Sequence, residues 1–188
     1  MAVETEAKFR VESHDPIRQR LRAAGARSLG TVLETNLILD RPDGSLRRQG
    51  CGLRLRTSQP LEGETARTTL TFKGPRAPGP LKVREELEID LADGETMGGI
   101  LTRLGYVAVL WYEKRRESWQ IADGRVELDE PPHLGRFVEI EAPDEAAVRR
   151  IQSELSLQDS DMVTASYVHM LDTWCREHGI TDRRLPLR

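Results

Sequence analysis

Charged side chains recur at every second position in several separate stretches of this chain. Glu4, Glu6 and Lys8 oppose Val3, Ala7, Phe9 and Val11. Arg54 and Arg56 oppose Leu53 and Leu55, and Thr69, Thr71 and Lys73 oppose Leu70 and Phe72. Lys82, Arg84, Glu86 and Glu88 oppose Val83, Leu87 and Ile89, with Glu85 as an exception. Glu127 and Asp129 oppose Val126 and Leu128; Glu139 and Glu141 oppose Val138 and Ile140. Lys114 and Arg116 fit by spacing, although Glu113 and Arg115 occupy their other face. Side chains of an extended strand alternate between faces, so each run is a strand with one charged and one apolar side.

The pattern predicts strands over Val3–Val11, Leu33–Leu39, Leu53–Ser58, Arg67–Lys73, Lys82–Leu91, Val107–Ile121, Arg125–Asp129 and Arg136–Ala142. Helices are expected from Asp15-Pro16, with Asp15 as N-cap, to Gly25, and over Glu95–Leu104, Asp144–Leu155 and Thr164–His178. Residues 45–50 read as a connector and Gly74–Pro80 as a loop. The chain has 188 residues, enough for one domain, taken as 1–178, with a tail at 179–188 expected to fray.

An antiparallel sheet with one face in water explains most such alternation. Here the polar face carries charge at almost every position, in blocks of matched sign. A sheet closed on itself accounts for both features, with a charged lumen and an apolar outside covered by helices. The fold class is therefore α+β, a β-barrel with helices packed outside. A lumen lined by both signs suits a polyanion bound with a metal ion. Glu4, Glu6, Glu139 and Glu141 would supply carboxylates to Mg²⁺ or Mn²⁺, with Asp129 in the same shell. Arg54, Arg56, Lys73, Arg84, Lys114 and Arg116 would hold phosphate oxygens.

The net charge of −3 gives no reason to expect a nucleic-acid partner. No apolar run approaches ~18 residues, and Glu4 and Glu6 interrupt any leader pattern, so a cytoplasmic protein without a membrane partner is expected. Cys51 and Cys175 have no metal or redox spacing, and the four histidines show none either.

Taken together, the ExExK run at Glu4, Glu6 and Lys8, Arg54-Leu55-Arg56, Thr71-Phe72-Lys73-Gly74, Arg84-Glu85-Glu86-Leu87-Glu88, Glu113-Lys114-Arg115-Arg116, Leu128-Asp129 and Phe137-Val138-Glu139-Ile140-Glu141 resemble the CYTH family, the triphosphate tunnel metalloenzymes. ExExK alone is a weak match; the ordered series is specific. The resemblance implies an eight-stranded antiparallel tunnel, Glu4, Glu6, Glu139 and Glu141 as metal ligands with Asp129 close by, and the six basic residues as triphosphate contacts. It adds Glu86 and Glu88 as tunnel carboxylates, and Lys8 as the group that helps activate water in hydrolases of the family. Tyr167, in a segment that closes one side of the tunnel, either reaches the substrate or only packs. Family members include thiamine and inorganic triphosphatases and class IV adenylyl cyclases. The expected function is metal-dependent hydrolysis of tripolyphosphate, thiamine triphosphate or ATP. Cyclisation of ATP to cyclic AMP and pyrophosphate is the alternative, favoured by the Leu104-Gly105-Tyr106 and Leu134-Gly135-Arg136-Phe137 runs; non-catalytic polyphosphate or nucleotide binding is the third reading. Cyclase-type relatives allow a homodimer.

Overall fold

The structure is a computed structural model describing residues 2–63, 65–79 and 81–187; the side chains of residues 2–4, including that of Glu4, lie outside the described set. Strands β1 (Ala2–Val11), β2 (Arg27–Asp40), β3 (Gly52–Pro60), β4 (Arg67–Lys73), β5 (Lys82–Leu91), β6 (Val107–Ile121), β7 (Gly124–Glu130) and β8 (Arg136–Ala142) pair in the order β2-β3-β4-β5-β1-β8-β7-β6. Each of these neighbours is antiparallel, and β6 pairs back onto β2, so the sheet closes into an eight-stranded barrel.

Register carries the alternation around the barrel. Cross-strand partners share a face, and Glu6 stands opposite Lys82 and Glu141, Lys8 opposite Glu139, Arg56 opposite Thr69 and Asn36, and Lys114 opposite Glu34. The charged set is thereby gathered inside. The apolar set faces outward, where helices α1 (Asp15–Ala23) and α4 (Glu145–Glu154) cover it. Ile17 and Leu21 of α1 and Val148 and Ile151 of α4 join Phe9, Val126, Leu128, Val138 and Ile140 in one buried cluster. At Gly124 an added Cβ would lie 2.4 Å from Ile151 and 3.0 Å from the Glu141 carbonyl, so the seat of α4 on β7 needs glycine there. Helix α3 (Gly94–Arg103) buries Leu101 against Leu39 and Leu53 on another side.

Several local expectations differ from the structure. Asp15 is the first residue of α1 rather than its cap, because its carboxylate pairs with Arg18 at 2.7 Å; His14 takes the cap position. Residues 45–48 form a short helix, α2 (Ser45–Arg48), whose Leu46 and Arg47 N–H groups donate to the buried Asp40 carboxylate. Strand β2 starts earlier than predicted because Arg27 to Val32 pair with the second half of β6, through a bulge near Gly30. Helix α5 (Tyr167–Glu177) starts after Thr164, with the Ser166 hydroxyl accepting from the His169 N–H at 3.1 Å. The tail does not fray: Arg184–Leu185 form β9, parallel to β6, and Leu185 is buried beside Leu110, Phe137, Tyr167 and Leu171. These side chains from β6, β8, α5 and the tail form one apolar plug.

Candidate active site

The inward faces enclose a cavity of about 1420 Å³. Of the residues singled out above, Glu6, Lys8, Arg54, Arg56, Lys73, Arg84, Glu86, Glu88, Lys114, Arg116, Glu139 and Glu141 all line it. Glu4 stands opposite Arg84 in backbone register, and its side chain is outside the described residues.

One wall is acidic with two lysines set into it. Lys82 Nζ lies 2.7 Å from Glu6 Oε1, and Lys8 Nζ lies 3.1 Å from Glu139 Oε1. Lys8 also donates to the Ala165 carbonyl at 3.3 Å and sits 3.6 Å above the Tyr167 ring. Burial brings the Lys8 ammonium down from its ordinary value to about 8; Glu139 pulls the other way and the nearby Lys82 adds to the lowering. Burial also opposes the charge of Glu139, but Lys8, Arg116 and Lys114 outweigh it and hold that carboxyl well below its usual range.

The facing wall is basic. Arg54 donates to Thr71 Oγ1 at 3.3 Å and lies 3.9 Å from Glu88 Oε2, while its buried Nε finds no hydrogen-bond acceptor among the described residues. Arg84 Nε is in the same condition. Burial, reinforced by the neighbouring Arg56, disfavours the charged form of Arg54. Lys73 pairs with Glu86 at 2.6 Å. Both arginines line the cavity, although these Nε atoms are themselves shielded from it.

Asp129, expected close to the cation, sits among basic side chains. It is fully buried, and accepts from Lys114 at 2.9 Å, from Arg116 at 2.6 and 2.7 Å, and from the Tyr167 hydroxyl at 2.9 Å. These bonds orient two basic residues and tie helix α5 to β7, and Tyr167 also lines the cavity.

Sequence reasoning missed Glu34 and Asn36. Both are buried on the lumen face of β2; Glu34 lies 2.9 Å from Arg56, and Asn36 Oδ1 accepts from Arg56 Nε at 2.8 Å. Their shared parity, between Leu33 and Leu37 on the other face, was the available signal. Lys82 and Glu127 stood in the alternation without a role; Glu127 accepts from the Ser118 hydroxyl on the cavity wall.

The CYTH domain model matches residues 2–167. The chain belongs to the CYTH domain family. A Methanocaldococcus jannaschii protein named "Putative adenylate cyclase" is 27% identical over 139 residues, covering 74% of this CYTH chain and 76% of its own. Among solved structures, the PH1819 protein of Pyrococcus horikoshii superposes with a TM-score of 0.78 at 25% identity, covering 91% of this chain and 99% of its own. HpAC1 from Hippeastrum, described as a "putative adenylyl cyclase" with a dominant triphosphatase activity, superposes with a TM-score of 0.66 at 19% identity, covering 93% and 96%, a likeness of fold.

The carboxylates of this CYTH site are hard oxygen donors, the type Mg²⁺ and Mn²⁺ take. Glu6 and Glu141 stand directly opposite one another in register, with Glu139 two positions along β8. The donor chemistry fits a divalent cation. Among the described residues no three acidic, histidine or cysteine side chains are already gathered at metal-binding distance, since Glu6 and Glu139 are engaged by Lys82 and Lys8.

Proposed function

We propose that this CYTH protein is a divalent-metal-dependent enzyme that hydrolyses an inorganic or organic triphosphate. The observation carrying this reading is that Arg54, Arg56, Lys73, Arg84, Lys114 and Arg116 line one cavity together with Glu6, Glu139 and Glu141. The basic side chains suit a polyanion, and the carboxylates need a cation before they tolerate that polyanion.

Arg54, Arg56, Lys73, Arg84, Lys114 and Arg116 hold the phosphate oxygens, the arginines through two-pronged contacts. Glu6, Glu139 and Glu141, together with Glu4, would hold Mg²⁺ or Mn²⁺, which would supply positive charge to offset that of the phosphate oxygens. Lys8 takes the proton of the attacking water in its neutral form. Water oxygen bonds to the terminal phosphorus, which becomes orthophosphate, while the bridging P–O bond breaks and the remaining diphosphate portion leaves with that bond's electron pair. A lysine at about 8 has a usable neutral fraction near physiological pH.

The second reading is cyclisation of ATP, and the name of the archaeal relative favours it. Product analysis after incubation with ATP and Mg²⁺, then Mn²⁺, separates the two. Hydrolysis gives ADP and phosphate; cyclic AMP with pyrophosphate would replace the hydrolase reading by the cyclase one.

A further inference from the structure

Glu34 is 2% exposed, and it is an acidic residue placed among the basic ones. Strand β2 pairs with both β3 and β6, so a side chain at this position reaches both walls. The Glu34 carboxylate lies 2.9 Å from Arg56 Nη1 on β3, and 3.2 Å from Lys114 Nζ and 3.7 Å from Arg116 Nε on β6. Asn36, next on the same face, accepts from Arg56 Nε at 2.8 Å. Two edges of the Arg56 guanidinium are therefore pinned from β2. Arg116 is pinned from the other side by Asp129 and Glu139, and Lys114 is shared between Glu34 and Asp129.

We propose that Glu34 is a positioning residue: it holds Arg56 and Lys114 in the geometry that grips the reacting phosphate, without itself touching substrate. This rests on the triphosphatase reading above. The three cationic side chains Arg56, Lys114 and Arg116, crowded together, repel one another, and without Glu34 they would spread apart. A bound triphosphate could still gather them, but in a different arrangement. Glu34 thus acts in the transition state more than in ground-state binding. Burial works against its charge, but Arg56, Lys114 and Arg116 prevail and hold the carboxyl far below its usual range, so it stays ionised throughout the working pH range.

The test is steady-state hydrolysis of tripolyphosphate with Mg²⁺ by wild type, Glu34→Gln and Glu34→Asp, with folded fraction checked by thermal melting. Glu34→Gln keeps the shape and removes a negative charge from a polyanion site. The expected result is a kcat loss of roughly 10- to 100-fold, the scale of a small misplacement at a reacting centre, with KM unchanged or lower. Glu34→Asp, one methylene shorter, should also lose kcat. Wild-type kcat in either folded variant would overturn the proposal, because charge or scaffolding alone would then suffice. Loss rescued by excess Mg²⁺ would overturn it too, by making Glu34 a metal ligand. A wild type that binds tripolyphosphate without hydrolysing it contradicts the hydrolase reading; the Arg56 Nε–H resonance, assigned by its loss in Arg56→Lys, then replaces kcat. It should be single and sharp with tripolyphosphate in wild type and broadened in Glu34→Gln, and identical signals would overturn the inference. A wild type that does not bind tripolyphosphate overturns both readings.

Discussion

Replacing Asp129 by Asn should destabilise the protein severely. The carboxylate is fully buried and accepts four hydrogen bonds, three of them on Oδ2 from Lys114, Arg116 and the Tyr167 hydroxyl. An amide of the same shape offers one oxygen and turns an NH₂ towards donors. Whichever way it is flipped, at least one donor among Lys114, Arg116 and the Tyr167 hydroxyl loses its bond to this position, although Lys114 keeps Glu34 and Arg116 keeps Glu139. Breaking a buried ion pair by removing one partner costs about 3–5 kcal/mol. For a chain of this size, each kcal/mol shifts the melting temperature by about 2–4 °C, so a fall of roughly 6–20 °C is expected. The assay is thermal and urea denaturation of wild type and Asp129→Asn, at low salt and at about 0.5 M salt. The loss should persist at high salt, because buried pairs are screened little. A loss below about 1 kcal/mol, or one that salt abolishes, would refute the reasoning. Normal stability combined with weakened Mg²⁺ binding would return Asp129 to the metal shell expected from the motif.

Other outcomes follow from the same contacts. The hydrolysis rate should rise with pH and level off above about 8, and Lys8→Gln should be slow with a flat profile; an unchanged profile in that variant removes Lys8 as the base. His14 is 3% exposed and burial lowers its value below the usual 6.5, so the unfolded chain binds more protons. Its contribution is present above about pH 6.5 and lost as pH falls below; urea midpoints of wild type should decline over this range more steeply than those of His14→Gln, and parallel curves would contradict this. Leu185→Ala removes a buried side chain from the plug, and a loss of about 2–5 kcal/mol is expected in urea titrations; a change under about 0.5 kcal/mol would mean the tail does not hold the plug. Arg54→Ala should weaken tripolyphosphate binding by about 1.5–3 kcal/mol by calorimetry, the scale of a hydrogen bond to a charged group, whereas an unchanged Kd would remove Arg54 from the ligand site.

Much of this barrel was legible because a closed sheet translates strictly into alternation. Strands β4, β5, β6 and β8 have the limits their charge patterns predicted. The lumen residues were readable where charge recurs at every second position, as in Arg84-Glu85-Glu86-Leu87-Glu88. Glu34 was not, because the flanking Val32 and Ile38 share its face and hide the alternation. The role of Asp129 was also hidden: its partners come from β6 and from α5, and only folding brings Lys114, Arg116 and Tyr167 to it. The docked tail had no signal at all, since a two-residue strand has no periodicity and Leu185 is buried by elements remote in sequence.

The most direct test of the central claim is phosphorus NMR of tripolyphosphate incubated with the protein in ¹⁸O-enriched water, with and without Mg²⁺ or Mn²⁺. Orthophosphate carrying one solvent-derived ¹⁸O, formed only with metal and much more slowly in Lys8→Gln, is the predicted result. Tripolyphosphate left intact under every metal condition, or orthophosphate formed equally well without metal, would contradict it.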